Sequence, residues 1–326
     1  MQYCHVCILI DKTLCQHVTD PLYLYKIIMN WKTHTKKKKF TFFDNEREKV
    51  FQEPFYFIQG ADIQLGLIQR YIEKNPVPGW SKELQLAELA VKKVNAMRPK
   101  PKFFVMCGDL CDAMPYDMPL IRQKQEIDFK QVFYKLDPEI PLVCVCGNHD
   151  VGDQPTEDSI EAYHKSFGED YFSFWCGGVM FIVINSQYFY DSSQVKKQAE
   201  DHELWLSNTL QTARKYCVKR VIVFQHIPWF LHDPKENNLE SYFTLPQDVR
   251  NKWLPILKQS GVQFVFCGHY HRNAIGSYEG MDVVTTSAVG AQLGNDRSGL
   301  RVVRVMEDSI DHTYYNLENI PSVINL

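Results

Sequence analysis

Polar side chains follow five short apolar runs of this 326-residue chain, at the point where each run ends. The richest group is Gly147-Asn-His-Asp150, which comes directly after the β-branched run 141–146 and combines an amide, an imidazole and a carboxylate. Because ligands bind beyond the carboxyl ends of strands in open α/β sheets, we expect the five polar ends to form one site. Their lone-pair donors are Asp62, Gln64, Asp109, Asn148, His226, His269 and His271.

These side chains could bind divalent cations. Oxygen and imidazole donors without a thiolate suit manganese, iron, zinc or magnesium. These donors are more numerous than the ligands of one tetrahedral zinc site, but they suffice for two cations if one carboxylate bridges them. Two cations about 3.5–4 Å apart can hold the attacking and leaving oxygens of an in-line displacement at phosphorus. A single histidine on an apolar strand is more often structural, but polar ends on five strands favour a shared metal site.

The elements that must position these residues alternate between strands and helices. Apolar runs predict strands at 55–58, 102–107, 141–146, 220–225 and 262–267, a hairpin at 171–184, and short strands at 281–286 and 299–305. Helical spacing of apolar residues predicts helices at 81–97, 121–136, 198–216 and near 246–260. This order predicts a mixed α/β fold.

Composition limits the classes of function. Hydrophobic residues make up 45% and charged residues 23%, which is typical of a globular protein in water, and no apolar stretch approaches the roughly 20 residues of a membrane span. The net charge of −3 predicts no binding to nucleic acid. Several cysteines lie inside apolar strands, which indicates a reducing compartment rather than a disulfide framework. The sequence leaves the oligomeric state open.

Residues 1–45 and 46–326 differ in pattern. The first part has no regular periodicity and contains Lys36-Lys-Lys-Lys39, which is typical of a solvated charge run. We therefore predict a poorly structured N-terminal tail at 1–45. No repeat or low-complexity segment interrupts the remainder, which predicts one domain at 46–326.

The succession of motifs resembles that of the calcineurin-like metallophosphoesterases. It consists of Asp62-Ile-Gln64, Gly108-Asp109 with Asp112, Gly147-Asn-His-Asp150, His226 and Gly268-His-Tyr-His271, and it covers about residues 55 to 290. Wider similarity, as at Asp170-Tyr-Phe-Ser-Phe-Trp175, is to a subgroup regarded as cytoplasmic serine/threonine-protein phosphatases. The resemblance implies a four-layer sandwich of two mixed β-sheets flanked by helices.

The resemblance also implies a role for each residue. A hydroxide between the cations would attack phosphorus, and His149, oriented by the Asp112 carboxylate, would assist the leaving group. Asp150 is more simply a turn or capping residue. The first cation would take Asp62, Gln64, Asp109 and His271, and the second would share Asp109 and add Asn148, His226 and His269.

Two positions depart from the family pattern. Gln64 stands where most relatives carry histidine, and a neutral amide favours oxygen-loving cations such as manganese or magnesium. Ala113 follows Asp112, where the phosphoprotein phosphatases closest to calcineurin carry an arginine. We expect Arg272 to bind the phosphate instead, with Asn185 as a weaker candidate.

Three functions are compatible with these residues. The first is hydrolysis of a phosphomonoester on a protein serine or threonine, with a phosphoprotein as partner. The second is a manganese-dependent diphosphatase of the ADP-ribose or CDP-alcohol type, whose nucleobase would need an aromatic slot from Tyr116, Trp229 or Phe230. The third is a catalytically silent interaction module. Such a module predicts broken ligand positions, and only Gln64 departs from the ligands that the family carries.

Overall fold

Two mixed β-sheets face each other in the computed structural model, which describes residues 30–31, 33–43, 46–236 and 241–326. The strands are β1 Thr35–Lys36, β2 Lys39–Phe40, β3 Phe55–Gly60, β4 Phe104–Cys107, β5 Leu142–Val145, β6 Phe172–Cys176, β7 Val179–Val183, β8 Val221–Phe224, β9 Val262–Cys267, β10 Ala274–Tyr278, β11 Met281–Thr285, β12 Gly299–Val305 and β13 Ile310–Asn316. The smaller sheet has the order β13-β12-β3-β4-β5, and the larger has the order β1-β2-β6-β7-β8-β9-β11-β10. Strands β3 to β5 run parallel, and so do β7, β8, β9 and β11.

Helices cover the outer face of each sheet. They are α1 Ser81–Ala96, α2 Pro119–Phe133, α3 Asn148–Val151, α4 Glu157–Phe167, α5 Gln187–Tyr190, α6 Lys196–Lys215 and α7 Gln247–Gln259. Helices α1 and α2 pack on the smaller sheet, and α6 and α7 pack on the larger one. The layers are therefore helix, sheet, sheet and helix, which confirms the predicted α/β sandwich of two mixed sheets.

Each apolar strand contributes to two cores because its side chains alternate between faces. Along β3, Phe55 and Phe57 point into the layer between the sheets, whereas Tyr56 and Ile58 contact the helices. The ring of Phe57 meets that of Phe181 on β7 edge-to-face, with 5.5 Å between the centroids. Burial on both faces explains why the parallel strands are continuously apolar in sequence.

Part of the predicted tail belongs to the domain. Strands β1 and β2 form a hairpin, and β2 pairs in parallel with β6 through Lys39 and Ser173. Phe40 is 1% exposed and packs against the rings of Phe172 and Phe174. Because this aromatic side chain completes the core between the sheets, the domain begins before residue 46. Residues 1–29, 32, 44 and 45 of the predicted tail lie outside the described residues.

The sequence analysis did not predict α4, β10 or β13. Strand β13 is only half-buried along its length, so it carries no continuous apolar run, and it lies at the edge of the smaller sheet. Helix α4 begins at a capping box in which Ser159 N donates to Thr156 Oγ1 at 3.1 Å and Thr156 N donates to Ser159 Oγ at 2.9 Å. Within the described ranges, no helix combines the length and the apolar composition needed to cross a membrane.

Candidate metal centre

The predicted ligands lie together where strands of both sheets end. Asp62, Asp109 and Asn148 follow β3, β4 and β5, His226 follows β8, and His269 and His271 follow β9. Each of the seven predicted ligands, Gln64 included, is at most 4% exposed. The parallel strands of each sheet end on the same side of the sandwich, which brings residues far apart in the sequence into one buried space.

Two groups of ligand atoms lie close enough together to hold one cation each. The first consists of Asp62, Asp109 and His271, and the second of Asp109, His226 and His269. Within each group the ligand atoms lie within 4.8 Å of one another. Asp109 belongs to both groups, as a bridging carboxylate must.

The backbone of these residues is strained. Asp62, Gln64, Asp109, His269 and His271 have φ values of 53°, 42°, 51°, 70° and 53°. This left-handed conformation costs a residue with a side chain roughly 1–2 kcal/mol. Ten described non-glycine residues have a positive φ, and half of them are predicted ligands. Strain concentrated in this way is typical of a functional site, where the surrounding structure holds unfavourable conformations in place.

Two glycines of the motifs allow the strand ends to approach one another. A β-carbon at Gly147 would lie 2.2 Å from Asp109 Oδ1, and one at Gly108 would lie 2.3 Å from His226 Nδ1. Gly108 also has a φ of 86°. Any side chain at these positions would push the carboxylate or the imidazole out of place.

Main-chain carbonyls fix the tautomers of three histidines. A carbonyl oxygen only accepts, so the ring nitrogen that faces it carries the hydrogen and the other nitrogen presents a lone pair. The pairs are His226 Nδ1 with the Cys107 oxygen at 2.8 Å, His269 Nε2 with the Tyr242 oxygen at 2.8 Å, and His271 Nδ1 with the Ala291 oxygen.

The remaining ring nitrogens face one another and the carboxylates. His226 Nε2 lies 3.2 Å from His269 Nδ1 and 3.2 Å from Asp109 Oδ2. His271 Nε2 lies 3.4 Å from Asp62 Oδ1. In the neutral imidazoles these nitrogens carry lone pairs, and lone pairs that converge in a buried space fit a cation better than they fit one another.

Both predicted amide ligands have their nitrogen held by acceptors. Gln64 Nε2 donates to Asp112 Oδ1 at 3.3 Å, and Asn148 Nδ2 donates to Asp153 Oδ1 at 2.8 Å and to the Tyr242 hydroxyl at 2.9 Å. The amide oxygens are therefore the ends available as ligands. Gln64 Oε1 is buried without a hydrogen-bond partner among the described residues, which costs about 1–3 kcal/mol unless a ligand satisfies it. An oxygen-preferring cation fits this position.

The ionisable groups of the centre are strongly coupled. Burial lowers the pKa of His226, but the Asp109 carboxylate more than compensates and raises it to about 9. Burial and the neighbouring His226 lower the pKa of His269 to about 3. Burial raises the pKa of Asp109, but His226 and His149 outweigh it and hold that pKa below its ordinary value. The pKa of His226 is raised and that of the adjacent His269 is lowered, which indicates that the two imidazoles are not protonated at the same time.

His149 lies beside the centre and lines a cavity that borders the predicted ligands. Its Nδ1 lies 2.6 Å from the main-chain oxygen of Asp112 and 3.7 Å from the Asp112 carboxylate. The predicted contact of His149 with the Asp112 carboxylate is thus replaced by a contact with the Asp112 main chain. Arg70 binds both oxygens of the carboxylate instead. The main-chain N–H of His149 donates to Asp109 Oδ1 at 2.9 Å, which ties the imidazole to the centre.

Asp150 has structural partners. Its carboxylate accepts hydrogen bonds from the main-chain N–H groups of Leu110 and Gly147, at 3.1 Å and 2.9 Å, and from Arg122 at 3.2 Å. Burial raises the pKa of Asp150 to about 6 against the opposing effect of Arg122. These contacts agree with its interpretation as a turn residue.

The cavity beside the centre has a volume of about 330 Å³. Arg272 and Asn185, the predicted substrate contacts, are not among its described lining residues. Arg272 instead donates from Nε and Nη2 to the main-chain oxygen of Leu293, at 3.1 Å and 2.8 Å. Asn185 is fully buried and donates to Asp170 Oδ2 at 3.1 Å. Both side chains are thus engaged by other groups of the protein.

The predicted aromatic slot is also placed elsewhere. Trp229 and Phe230 are fully buried in the core between the larger sheet and its helices, and Tyr116 is 52% exposed outside the cavity lining. The aromatic side chains that do line the cavity are Tyr71, Tyr242 and Phe243.

The sequence patterns did not indicate four polar residues of the cavity, which are Arg70, Tyr71, Asp153 and Tyr242. Arg70 lies on the π-helical turn Ile68–Ile72, just after the Asp62-Ile-Gln64 motif. That closeness in sequence is the one signal that could have indicated it. Tyr242 lies on the 3-10 turn Ser241–Phe243, far from the motifs in sequence, and no local pattern marks it.

Comparison with known proteins gives consistent results. A family model described as calcineurin-like phosphoesterase matches residues 61–273. The serine/threonine-protein phosphatase CPPED1 of Mus musculus is 46% identical over 283 residues, covering 85% of this chain and 89% of that protein. The protein of the same name from Homo sapiens is 45% identical over 281 residues, covering 85% and 88%.

Solved structures agree at the level of the fold. A dimetal phosphatase from Danio rerio has a TM-score of 0.59 at 15% identity, covering 82% of this chain and 97% of that one. The purple acid phosphatase PPD1 from yellow lupin has a TM-score of 0.59 at 12% identity, covering 83% and 52%. With the family model matching most of the chain and relatives near 45% identity, this chain belongs to the calcineurin-like phosphoesterase family, whose members hydrolyse phosphoric esters with two divalent metal ions.

Proposed function

We propose that this protein is a serine/threonine-protein phosphatase that hydrolyses phosphomonoesters on phosphoproteins. The observation that supports it most is the pair of ligand groups that share Asp109 at the base of an open cavity. The names of the relatives with about 45% identity over 85% of the chain support the choice of substrate.

The ligand assignment follows the two groups. Asp62, Gln64, Asp109 and His271 would hold the first cation, and Asp109, Asn148, His226 and His269 the second. When bound, two divalent cations lower the pKa of a water and neutralise negative charge on phosphoryl oxygens. The protein supplies fixed tautomers and amide orientations, so its donors are preorganised before a cation binds.

His149 would protonate the leaving oxygen of the serine or threonine. Its Nδ1–H is engaged by the Asp112 main-chain oxygen, so the proton that is transferred comes from Nε2. Asp112 orients the imidazole through that main-chain oxygen and uses its carboxylate for Gln64 and Arg70. The leaving alkoxide of serine is strongly basic, and protonation contributes typically about 10²–10⁴-fold to such a step.

Manganese or magnesium is the proposed metal at the first position. Gln64 offers a neutral oxygen there, and hard cations prefer oxygen ligands to a greater extent than zinc does. Loading the protein with equal manganese and zinc, followed by elemental analysis, tests this. We expect Gln64→His to raise the zinc-to-manganese ratio, and an unchanged ratio would remove Gln64 as the cause.

The cytoplasm is the proposed compartment. Cys107, Cys144, Cys146 and Cys267 are buried free thiols in or directly after apolar strands, and thiols of this kind are usual where the environment is reducing. A fluorescent fusion imaged in intact cells tests the location, and a signal confined to the secretory pathway would contradict it.

One assay separates the proposed activity from its two rivals. The manganese-loaded protein is given a phosphoserine peptide and ADP-ribose in parallel, and released phosphate and AMP are quantified. We expect turnover of the peptide. Turnover of ADP-ribose without the peptide would identify a nucleotide diphosphatase, and the loss of both activities together with no bound metal would identify a silent module. The phosphatase names of the relatives do not favour either rival.

A further inference from the structure

Arg70 is the only lysine or arginine among the described residues that line the cavity. It lies on the turn Ile68–Ile72, and its side chain is 34% exposed. A phosphoryl group that enters the cavity carries negative charge on several oxygens, so a guanidinium on the cavity wall is its natural partner among the side chains.

The position of Arg70 is fixed by a buried carboxylate. Its Nε and Nη2 donate to the two oxygens of Asp112, the latter at 2.9 Å, and the Asp112 side chain is fully buried. This contact raises the pKa of Arg70 against the effect of burial. Asp112 also accepts from Gln64 Nε2, so one carboxylate holds both a predicted ligand and the guanidinium.

The contact with Asp112 leaves other N–H donors of the Arg70 guanidinium free. A guanidinium carries N–H groups on three nitrogens, and Nη1 has no hydrogen-bond partner among the described residues. Arg70 can therefore keep its contact with Asp112 and still donate to a second anion. Planar N–H groups in a fixed fork match the oxygens of a phosphate.

We propose that Arg70 binds the phosphoryl group of the substrate, with Asp112 as the positioning residue that holds its guanidinium at the cavity wall. This inference rests on the proposed phosphatase function, and it concerns binding rather than a chemical step. It assigns to Arg70 the contact that the sequence had suggested for Arg272. Arg272 is less suited because it is not among the described residues that line the cavity.

The affinity for inorganic phosphate tests the proposal directly. Calorimetric titration of the manganese-loaded protein with phosphate gives a dissociation constant that does not depend on turnover. We expect Arg70→Met to weaken phosphate about 10- to 100-fold, which is the usual weight of hydrogen bonds to charged groups, and to raise KM for a phosphoserine peptide in parallel. Arg70→Lys keeps the charge without the fork and should recover part of the affinity.

Two controls make the result specific. Arg297→Met removes an exposed arginine that pairs with Glu318, and we expect it to change nothing. Metal content and thermal unfolding are measured for every variant, and if Arg70→Met does not fold, Arg70→Lys carries the test with an expected loss of about 10-fold.

The outcomes separate this inference from the proposed function. If the wild-type protein hydrolyses the peptide but Arg70→Met, or Arg70→Lys in its place, binds phosphate as tightly as wild type, the proposed contact is wrong and Arg70 serves only to neutralise Asp112. If the wild-type protein hydrolyses neither the peptide nor p-nitrophenyl phosphate, the proposed function fails. Phosphate affinity that depends on Arg70 would then still support the binding site.

Discussion

Two clusters of carboxylates and histidines in this protein resemble each other in composition and differ in their partners. One is the candidate metal centre. The other, here called the Asp170 cluster, consists of Lys38, His164, Glu169, Asp170, Asn185 and Tyr188. His164, Glu169 and Asp170 also place their ligand atoms within 4.8 Å of one another. Proximity of ligand atoms alone therefore does not distinguish the two.

The hydrogen-bond donors distinguish them. Asp170 Oδ1 accepts from His164 at 2.8 Å and from Lys38 at 3.2 Å, and Oδ2 accepts from Asn185 at 3.1 Å and from the Tyr188 hydroxyl at 2.8 Å. Burial raises the pKa of Asp170, but His164 and Lys38 outweigh it and hold that pKa below its ordinary range. The Asp170 cluster already contains its cation, which is the ammonium of a lysine.

The candidate metal centre contains no lysine or arginine among its described ligands. Its ring nitrogens face carboxylates and one another, and Gln64 Oε1 has no partner among the described residues. We infer that an incomplete set of donors, together with a strained backbone, indicates a metal site. A complete set indicates a structural ion pair. Three predictions test this difference, from the largest expected effect to the smallest, and a fourth concerns His202, a buried histidine beside the Asp170 cluster.

His149→Ala should lower turnover of a phosphoserine peptide by about 10²–10⁴-fold and leave both metals bound, because His149 is not among the predicted ligands. The measurement combines steady-state kinetics with elemental analysis. The matched control is His164→Ala in the Asp170 cluster, which should leave turnover unchanged. Full activity of His149→Ala on an alkyl phosphate would remove the leaving-group role.

Asp170→Asn should lower the free energy of unfolding by about 3 kcal/mol at pH 7, because Lys38 and the other donors lose a buried negative acceptor. The low pKa of Asp170 means that its contribution is present above the unfolded pKa and is lost only as pH falls through the folded pKa, so it is complete at pH 7. Urea unfolding of the metal-free protein measures the loss. Glu169→Gln, whose carboxylate is partly exposed, should cost less than about 1 kcal/mol, and an equal cost for both variants would contradict the special position of Asp170.

Asn148→Ala should weaken the second metal by at least about 10-fold, because the amide oxygen of Asn148 is one of the predicted ligands. Asn185→Ala removes an amide that is bound in the Asp170 cluster, and it should alter unfolding rather than metal affinity. Titration with a chelator-buffered metal measures both variants. Equal metal affinities for the two would show that the orientation of the Asn148 amide carries no information about binding.

His202→Phe should make the protein less sensitive to acid. His202 is fully buried between Tyr171 and Tyr188, and burial lowers its pKa to about 3. Below the unfolded pKa of about 6.5 the unfolded state binds the proton that the folded state does not, so stability falls as pH decreases. From pH 7 to pH 5 this group costs about 2 kcal/mol.

Urea unfolding at pH 7 and pH 5 measures this effect as a difference. We expect the loss of stability between the two values to be about 2 kcal/mol smaller for His202→Phe than for wild type. His232→Phe, at an exposed histidine, should show the wild-type loss. The same pH dependence in all three proteins would mean that His202 is protonated in the folded state.

The sequence by itself determined the mixed α/β fold and the order of the motifs. Strand and helix periodicities are local, and parallel strands that share a sheet, as β3–β5 and β8–β9 do, bring their polar ends to the same edge of that sheet. Edge elements were missed for the same reason: β13 is half-buried and carries no apolar run, and Phe40 lies in a lysine-rich stretch that hides a core residue.

Only the tertiary structure decided which partners each polar group has. The Nδ1 of His226 is fixed by a carbonyl 119 residues away in the sequence, at Cys107. The Asp112 carboxylate is bound by Arg70 rather than by His149. Lys38, in the lysine run that the sequence predicts to be solvated, neutralises Asp170. Hydrogen-bond directions and burial depend on how distant segments pack, and no pattern within one segment records them.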